Sequence, residues 1–260
     1  MSRVAIVTGA ARGIGAATVT ALADAGWSVV ALDRCADDPR LPYRLGTERE
    51  LAAVVERAGT RVRPFVGDAS SLDDMAAAVA LAEDELGGLD ALVAVAGVIA
   101  GGVPLWDMPP EQEHAILDAN LRSVLVASRV GIPALLRRPE PRAGRFVAVA
   151  SAAATRGLPL LAAYCAAKAG VTGLVRALAA ELRGTGVTAN AVSPGSTATP
   201  ILDESARLYG LESAEAFSSQ QPIARLIRPE EVAATIVWLT GSTTDAVTGA
   251  TVPVDGGLSL

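Results

Sequence analysis

Short β-branched apolar runs alternate along the chain with longer alanine-rich segments. Strands are expected at 3–8 (RVAIVT), 27–32 (WSVVAL), 61–66 (RVRPFV), 90–96 (DALVAVA), 144–150 (GRFVAVA), 187–192 (VTANAV) and 250–254 (ATVPV). Helices are expected near 13–25, 47–58, 71–86, 110–138, 162–184 and 229–240. Most of the strand runs are apolar throughout, so both faces of each strand need apolar cover. Alternating with helices, they predict an α/β fold: a doubly wound parallel sheet with helices on both faces. No internal repeat or low-complexity linker interrupts the pattern, and a single domain over 1–260 is expected.

Two segments exceed a minimal strand–helix connection. Residues 34–47 (RCADDPRLPYRLGT) form an irregular loop where a short one is usual, either a functional covering or a surface excursion. Residues 199–226 are polar and weakly helical after a strand end, which suits a substrate lid. The 260 residues suffice for one large core, and 51% hydrophobic against 19% charged marks a globular chain. A net charge of −6 repels a phosphate backbone, so nucleic acid is excluded as the expected partner. Cys35 and Cys165 make no disulfide framework or metal-type pair and are expected as free buried thiols. The lone His114 lies in the polar run PPEQEHAILD and reads as a surface helix residue rather than part of a Ser-His-Asp triad. The N-terminal run MSRVAIVTG is expected to enter a strand at once, and no signal peptide is expected before it. The most apolar stretch, ALVAVAGVIAGGVPLW, is broken by glycines and a proline and falls short of a membrane span. A soluble, cytoplasmic protein is expected.

The first candidate chemistry follows the first strand. TGAARGIG places Gly9, Gly13 and Gly15 at G-x-x-x-G-x-G spacing, with Arg12 and Ile14 between them. Glycines there let the backbone approach a ligand, and the following helix offers free N–H groups to an anion. A tight turn that binds nothing is the rival reading. Asp33, twenty residues after Gly13, ends the second strand, where a carboxylate can accept from an adenosine ribose. It would repel a 2′-phosphate, favouring NAD over NADP; Arg12 and Arg34 cut the other way. Asp68, followed by Ala69 in VGDAS, could bond the adenine amino group or cap the helix from 71.

The second lies in AAYCAAKAG, where Tyr164 and Lys168 sit one helical turn apart. A free phenol has a pKa of about 10, and bringing it near 7 takes roughly 4 kcal/mol, which a close ammonium could supply. Such a tyrosine exchanges a proton with an alcohol or ketone. Ser151 ends the fifth strand, thirteen residues earlier, at the sheet edge where ligands bind. Its hydroxyl could hold the substrate oxygen beside the tyrosine. Asn120, in LDANL, could order water next to Lys168, or simply bond backbone within its helix. The turn SPGSTATP at 193–200 could close over a nicotinamide amide with Thr197 and Thr199 as donors; a plain turn is the alternative.

In order along the chain, Thr8-Gly9-x-x-x-Gly13-Ile14-Gly15, Asn120, Ser151, Tyr164-x-x-x-Lys168, Pro194-Gly195 and VDGG at 254–257 resemble the classical short-chain dehydrogenase/reductases over essentially the whole length. The resemblance implies a Rossmann-type sheet of about seven strands in the order 3-2-1-4-5-6-7. It implies Tyr164 as acid/base, Ser151 orienting the carbonyl or hydroxyl, Lys168 on the nicotinamide ribose, and Asn120 holding a relay water. It also implies homotetramers built on the long helices and the last strand. One departure stands out: the family usually has Asn-Asn-Ala-Gly after the fourth strand, where this chain has Ala94-Val95-Ala96-Gly97. The backbone at Ala96 and Gly97 can still meet the cofactor ribose. The loop 34–47 is similar in placement, and in CADDPRLPY, to the insertion of mycofactocin-coupled members, which implies a retained NAD and a peptide-derived redox carrier as partner.

The leading expectation is an NAD-dependent oxidoreductase acting on a hydrophobic secondary alcohol or its ketone, with Val98, Ile99, Ala152, Ala153 and the lid as pocket walls. NADPH-dependent reduction of a 3-oxoacyl thioester is the alternative within the class. A nucleotide-sensing protein without catalysis is the alternative outside it.

Overall fold

The computed structural model describes residues 2–260. Seven strands form one parallel sheet: β1 (Val4–Thr8), β2 (Ser28–Asp33), β3 (Val62–Val66), β4 (Ala91–Ala94), β5 (Arg145–Val149), β6 (Thr188–Pro194) and β7 (Thr251–Val254). Their spatial order is β3-β2-β1-β4-β5-β6-β7, the doubly wound order expected. Each strand's side chains alternate between two cores. Val4 and Ile6 of β1 pack with Met75, Ala78, Val124 and Val171, whereas Ala5 and Val7 pack with Val19, Leu22, Leu51 and Ile236. This two-sided burial is why the strands read as unbroken apolar runs. Pro64 sits in β3 at the sheet edge, where a missing N–H is tolerated.

The helices are α1 (Gly13–Asp24), α2 (Glu48–Ala58), α3 (Leu72–Leu86), α4 (Pro110–Leu117), α5 (Ser123–Arg137), α6 (Ala162–Glu181), α7 (Pro200–Leu208) and α8 (Pro229–Thr240). Three outcomes differ from the sequence expectation. The single helix expected over 110–138 is interrupted by a π turn at Asp118–Arg122, where the Ser123 N–H reaches the Asp118 carbonyl five residues back. No residue pattern announces this, because LDANLR has no glycine or proline to mark an interruption. The run Pro110–Arg137 is long and apolar enough to cross a membrane by length and composition, yet half of its most apolar window is buried within the fold. The segment after β6, expected to be only weakly helical, contains α7, started by Pro200 at its first position. Both cysteines are free but half-buried rather than buried, and His114 lies exposed on α4.

Consecutive strands β3 and β4 lie on opposite sides of β1, so the connections leaving β1 and β4 diverge. That divergence opens a crevice at the carboxyl edge of the sheet, the position where open α/β sheets place ligands.

Candidate active site

A cavity of about 740 Å³ occupies this crevice. It is lined by every position singled out from the sequence: Gly9, Arg12, Gly13, Ile14, Gly15, Asp33, Arg34, Asp68, Ala69, Ala96, Gly97, Asn120, Ser151, Tyr164, Lys168, Pro194, Gly195, Thr197 and Thr199. They arrive from the ends of six strands, from α1 and α6 and from the turn at Asp118–Arg122, and the topology alone brings them together.

At one end, Gly9 and Gly13 take left-handed backbone angles, φ +67° and +57°. A Cβ at Gly9 would lie 2.8 Å from the Cα of Ala96, and one at Gly15 would collide with the Gly9 carbonyl. Thr8 at the end of β1 ties the same region together: its hydroxyl accepts from the N–H groups of Val95 and Ala96, each at 3.1 Å. No side chain caps the start of α1, which leaves its first N–H groups for an anion. The glycine turn thus has the form of a phosphate cradle.

Asp33 reaches the cavity from the end of β2. Its two oxygens accept from the Ala11 and Cys35 N–H groups, each at 3.0 Å, fixing the carboxylate beside the cradle. Asp68 does not cap the following helix. Ser71 does so, and the Asp68 carboxylate instead accepts from the Ser70 N–H at 2.8 Å and the Ser70 hydroxyl at 2.7 Å. Neither arginine near Asp33 is free. Arg34 pairs with Asp38 at 3.1 Å, and Arg12 donates to the Arg44 carbonyl at 3.0 Å.

The loop 34–47 folds back over this end as a strap. Gly46 returns across Asp33, close enough that a Cβ there would sit 3.0 Å from the carboxylate. Leu41 is buried against Val98, Ile116, Ala163 and Ala167, with Tyr43 and Leu45 beside it. Arg40 bridges Asp38 and Asp118, and the Tyr43 hydroxyl accepts from the Ile99 N–H at 2.9 Å. Burial pushes the Tyr43 phenol up to about 12. Arg40 and Tyr43 were not singled out from the sequence; the only signal was a charged pair and an aromatic inside a loop of unusual length.

At the other end, Tyr164 and Lys168 share a face of α6, and Ser151 lies just past β5. Burial pushes the Tyr164 phenol up to about 12, opposed by the Ser151 hydroxyl beside it. Burial brings the Lys168 amine down to about 8, and its Nζ donates to the Val149 carbonyl at 2.9 Å. The sequence expectation that Lys168 acidifies Tyr164 is therefore not met in the protein alone. The amine lies 5.8 Å from the phenol ring centre, and burial is the largest influence on the phenol.

Asn120 belongs to the π turn rather than to a regular helix. Its Nδ2 donates to the carbonyls of Val98 at 2.8 Å and Ile116 at 2.9 Å, and its buried Oδ1 has no partner. A Cβ at Gly97 would lie 2.7 Å from that oxygen and 3.5 Å from Lys168 Nζ, so both polar atoms border one small space. A side chain at position 97 would fill it. An orphaned acceptor facing an ammonium is the arrangement a bound water satisfies.

The turn 193–200 lines the cavity, but both threonine hydroxyls point into the turn itself. Thr197 donates to Gly195 at 3.1 Å and Thr199 to Thr197 at 3.2 Å, so either must rotate to serve a ligand. The turn is held by Gln221, which accepts from the Ser196 N–H at 2.8 Å and donates to the Arg225 carbonyl at 2.7 Å. Nothing in the sequence marked Gln221. The walls beyond Tyr164 are apolar: Val98, Ile99, Ala152, Ala153, Leu158, Leu161 and Phe217, the last from the lid segment.

The cavity fits a dinucleotide in three respects: a Cβ-free cradle at a helix start, a fixed carboxylate at the end of β2, and a polar cluster at the far end. Comparison with known proteins agrees. Residues 9–259 match the family described as Enoyl-(Acyl carrier protein) reductase. The chain is 37% identical over 257 residues to Short-chain reductase protein NovJ from Streptomyces niveus, covering 98% of this chain and 93% of the relative. It is 36% identical over 259 residues to cis-4-hydroxycyclohexanecarboxylate dehydrogenase from Sinomonas cyclohexanicum, covering 98% and 96%. Carveol dehydrogenase from Mycobacterium avium, solved in complex with NAD, superposes with a TM-score of 0.92 at 29% identity, covering 98% of this chain and 97% of that one. The chain is an oxidoreductase belonging to the short-chain dehydrogenase/reductase family.

Proposed function

We propose that the protein transfers hydride between NAD and a hydrophobic secondary alcohol or its ketone. The observation that carries this is the convergence of Ser151, Tyr164, Lys168 and Asn120 on one apolar-walled cavity that continues to the glycine cradle. The nicotinamide ring, when bound, supplies or takes the hydride. The Ser151 hydroxyl orients the substrate oxygen. The Tyr164 hydroxyl gives a proton to the developing alkoxide of a ketone, or takes one from an alcohol. A phenol held near 12 is a competent acid, and base chemistry requires added positive charge beside it. Lys168 holds the nicotinamide ribose, and Asn120 Oδ1 with a water connects that ammonium to solvent.

A preference for NAD over NADP is supported by the Asp33 carboxylate lining the cavity beside the cradle while Arg34 and Arg12 are engaged elsewhere. The strap over the adenosine end slows dinucleotide release. Electrons then leave through a second carrier, which the loop's likeness to mycofactocin-coupled enzymes suggests is peptide-derived. Tetramer formation in the cytoplasm belongs to the same reading; Trp238 on α8 and Leu125 on α5 expose apolar surface for it.

Mass spectrometry of nucleotide released by denaturing the purified protein tests the cofactor, with NAD expected; NADP would restore the thioester-reductase alternative. Tyr164→Phe is expected to lower turnover at least ~100-fold. Unchanged turnover would remove the catalytic assignment.

A further inference from the structure

The strap does more than cover the adenosine end. Asp38, itself buried, accepts from Arg40 Nε at 2.9 Å and from Nη2 at 2.8 Å. The remaining nitrogen of that guanidinium reaches Asp118 Oδ2 at 2.8 Å. Asp118 opens the π turn, two residues before Asn120. Three residues after Arg40, the Tyr43 hydroxyl accepts from the Ile99 N–H at 2.9 Å. Ile99 follows Val98, whose carbonyl accepts from Asn120 Nδ2 at 2.8 Å. Tyr43 thus fastens the residue next to Val98, one of the two carbonyls that hold the Asn120 amide, and Arg40 fastens the first residue of the π turn that carries Asn120; Ile116, the other acceptor, is one turn before Asn120 on the same helical run. A π turn forgoes regular helical bonding and persists where neighbours hold it.

We infer that Arg40 and Tyr43 are positioning residues for the proton relay, so that closing the strap and aiming Asn120 Oδ1 at the space beside Lys168 are one event. The inference rests on the oxidoreductase reading above. An open strap takes Arg40 from Asp118 and Tyr43 from Ile99, and the turn relaxes. Proton transfer is then confined to molecules whose dinucleotide is enclosed. Arg34 shares Asp38 with Arg40 but reaches neither Asp118 nor Ile99; its second neighbour is Asp68.

The test uses the full chain with Arg40→Ala, Arg40→Lys, Tyr43→Phe, Asn120→Ala and the Arg40→Ala/Asn120→Ala double variant. Hydrogen exchange of the amides at 118–123 is read first, without substrate. Arg40→Ala is expected to speed it about tenfold and Tyr43→Phe by less. Single-turnover reduction of the enzyme-held nicotinamide by carveol is read second. Arg40→Ala is expected to slow it about tenfold at unchanged half-saturating carveol, and to cost nothing further once Asn120 is alanine. Arg40→Lys, which keeps the charge but spans only one carboxylate, is expected to recover part of the rate. Unchanged exchange, or an equal cost on both Asn120 backgrounds, overturns the inference and leaves the strap a mere cover. If Tyr164→Phe turns over normally, the oxidoreductase mechanism falls instead, and the exchange measurement still decides whether the strap fastens the turn.

Discussion

Replacing Lys168 with methionine should abolish activity and stabilise the protein. The amine is only 4% exposed, and burial lowers its pKa from 10.5 to about 8. At ~1.36 kcal/mol per unit, that difference costs the folded state about 3 kcal/mol wherever both folded and unfolded chains carry the proton. Methionine fills the space without a charge but loses the bond to the Val149 carbonyl, worth ~1 kcal/mol. The net gain is about 2 kcal/mol near neutral pH, or roughly 4 °C in Tm for a chain of this size. The sign fixes the pH window. A base whose folded pKa is depressed penalises folding below that value, and the penalty fades as pH rises from about 8 to 10.5. Urea unfolding of nucleotide-free protein, followed by tryptophan fluorescence at pH 7, 8.5 and 10, reads the gap directly. The variant should be more stable at pH 7 and the difference should nearly vanish at pH 10. A variant less stable than wild type at pH 7, or a gap that does not narrow, would refute the claim that desolvation dominates at this lysine.

Gly9→Ala should destabilise by ~2 kcal/mol or more, since it combines a left-handed φ with a 2.8 Å approach to Ala96; a denaturation midpoint equal to wild type would contradict the close packing. The Cys35 thiol is pushed up to about 12 by burial and by Asp33, Glu48 and Glu50, so its alkylation at pH 8 should be far slower in the folded protein than in denaturant; comparable rates would show that the strap does not shield it. Asp33→Ala should weaken NAD binding about tenfold and loosen the strap, read by calorimetry and by limited proteolysis within 34–47; unchanged values for both would free Asp33 of either role.

Sequence reasoning reached the sheet because two-sided burial leaves an unmistakable trace: Val4 and Ile6 face one core, Ala5 and Val7 the other, and all four must be apolar. The glycine turn and Ser151 were legible from their places at strand ends and Tyr164 with Lys168 from their shared helix face, while the family resemblance tied them into one set; the structure brings all of them to one cavity. Sequence reasoning missed the π turn because an inserted residue changes hydrogen-bond partners and not composition. It missed Gln221 and Arg40 because the partner that matters for each lies far along the chain: Gln221 meets Ser196 across 25 positions and Arg40 meets Asp118 across 78. The raised phenol of Tyr164 in the protein alone was not legible, because proximity to Lys168 shows along one helix whereas burial depends on the whole fold.

One consequence of Asp33 concerns how such an enzyme could change its redox partner over evolutionary time. If Asp33 discriminates against a phosphorylated ribose as proposed, the same two oxygens also staple the glycine turn at Ala11 to the start of the strap at Cys35. A mutation that removes the discriminator therefore unpicks two loops at once. Acquiring tolerance for the phosphorylated coenzyme demands replacement donors or acceptors in both loops, so the trait is buffered against drift by architecture rather than by a single chemical preference.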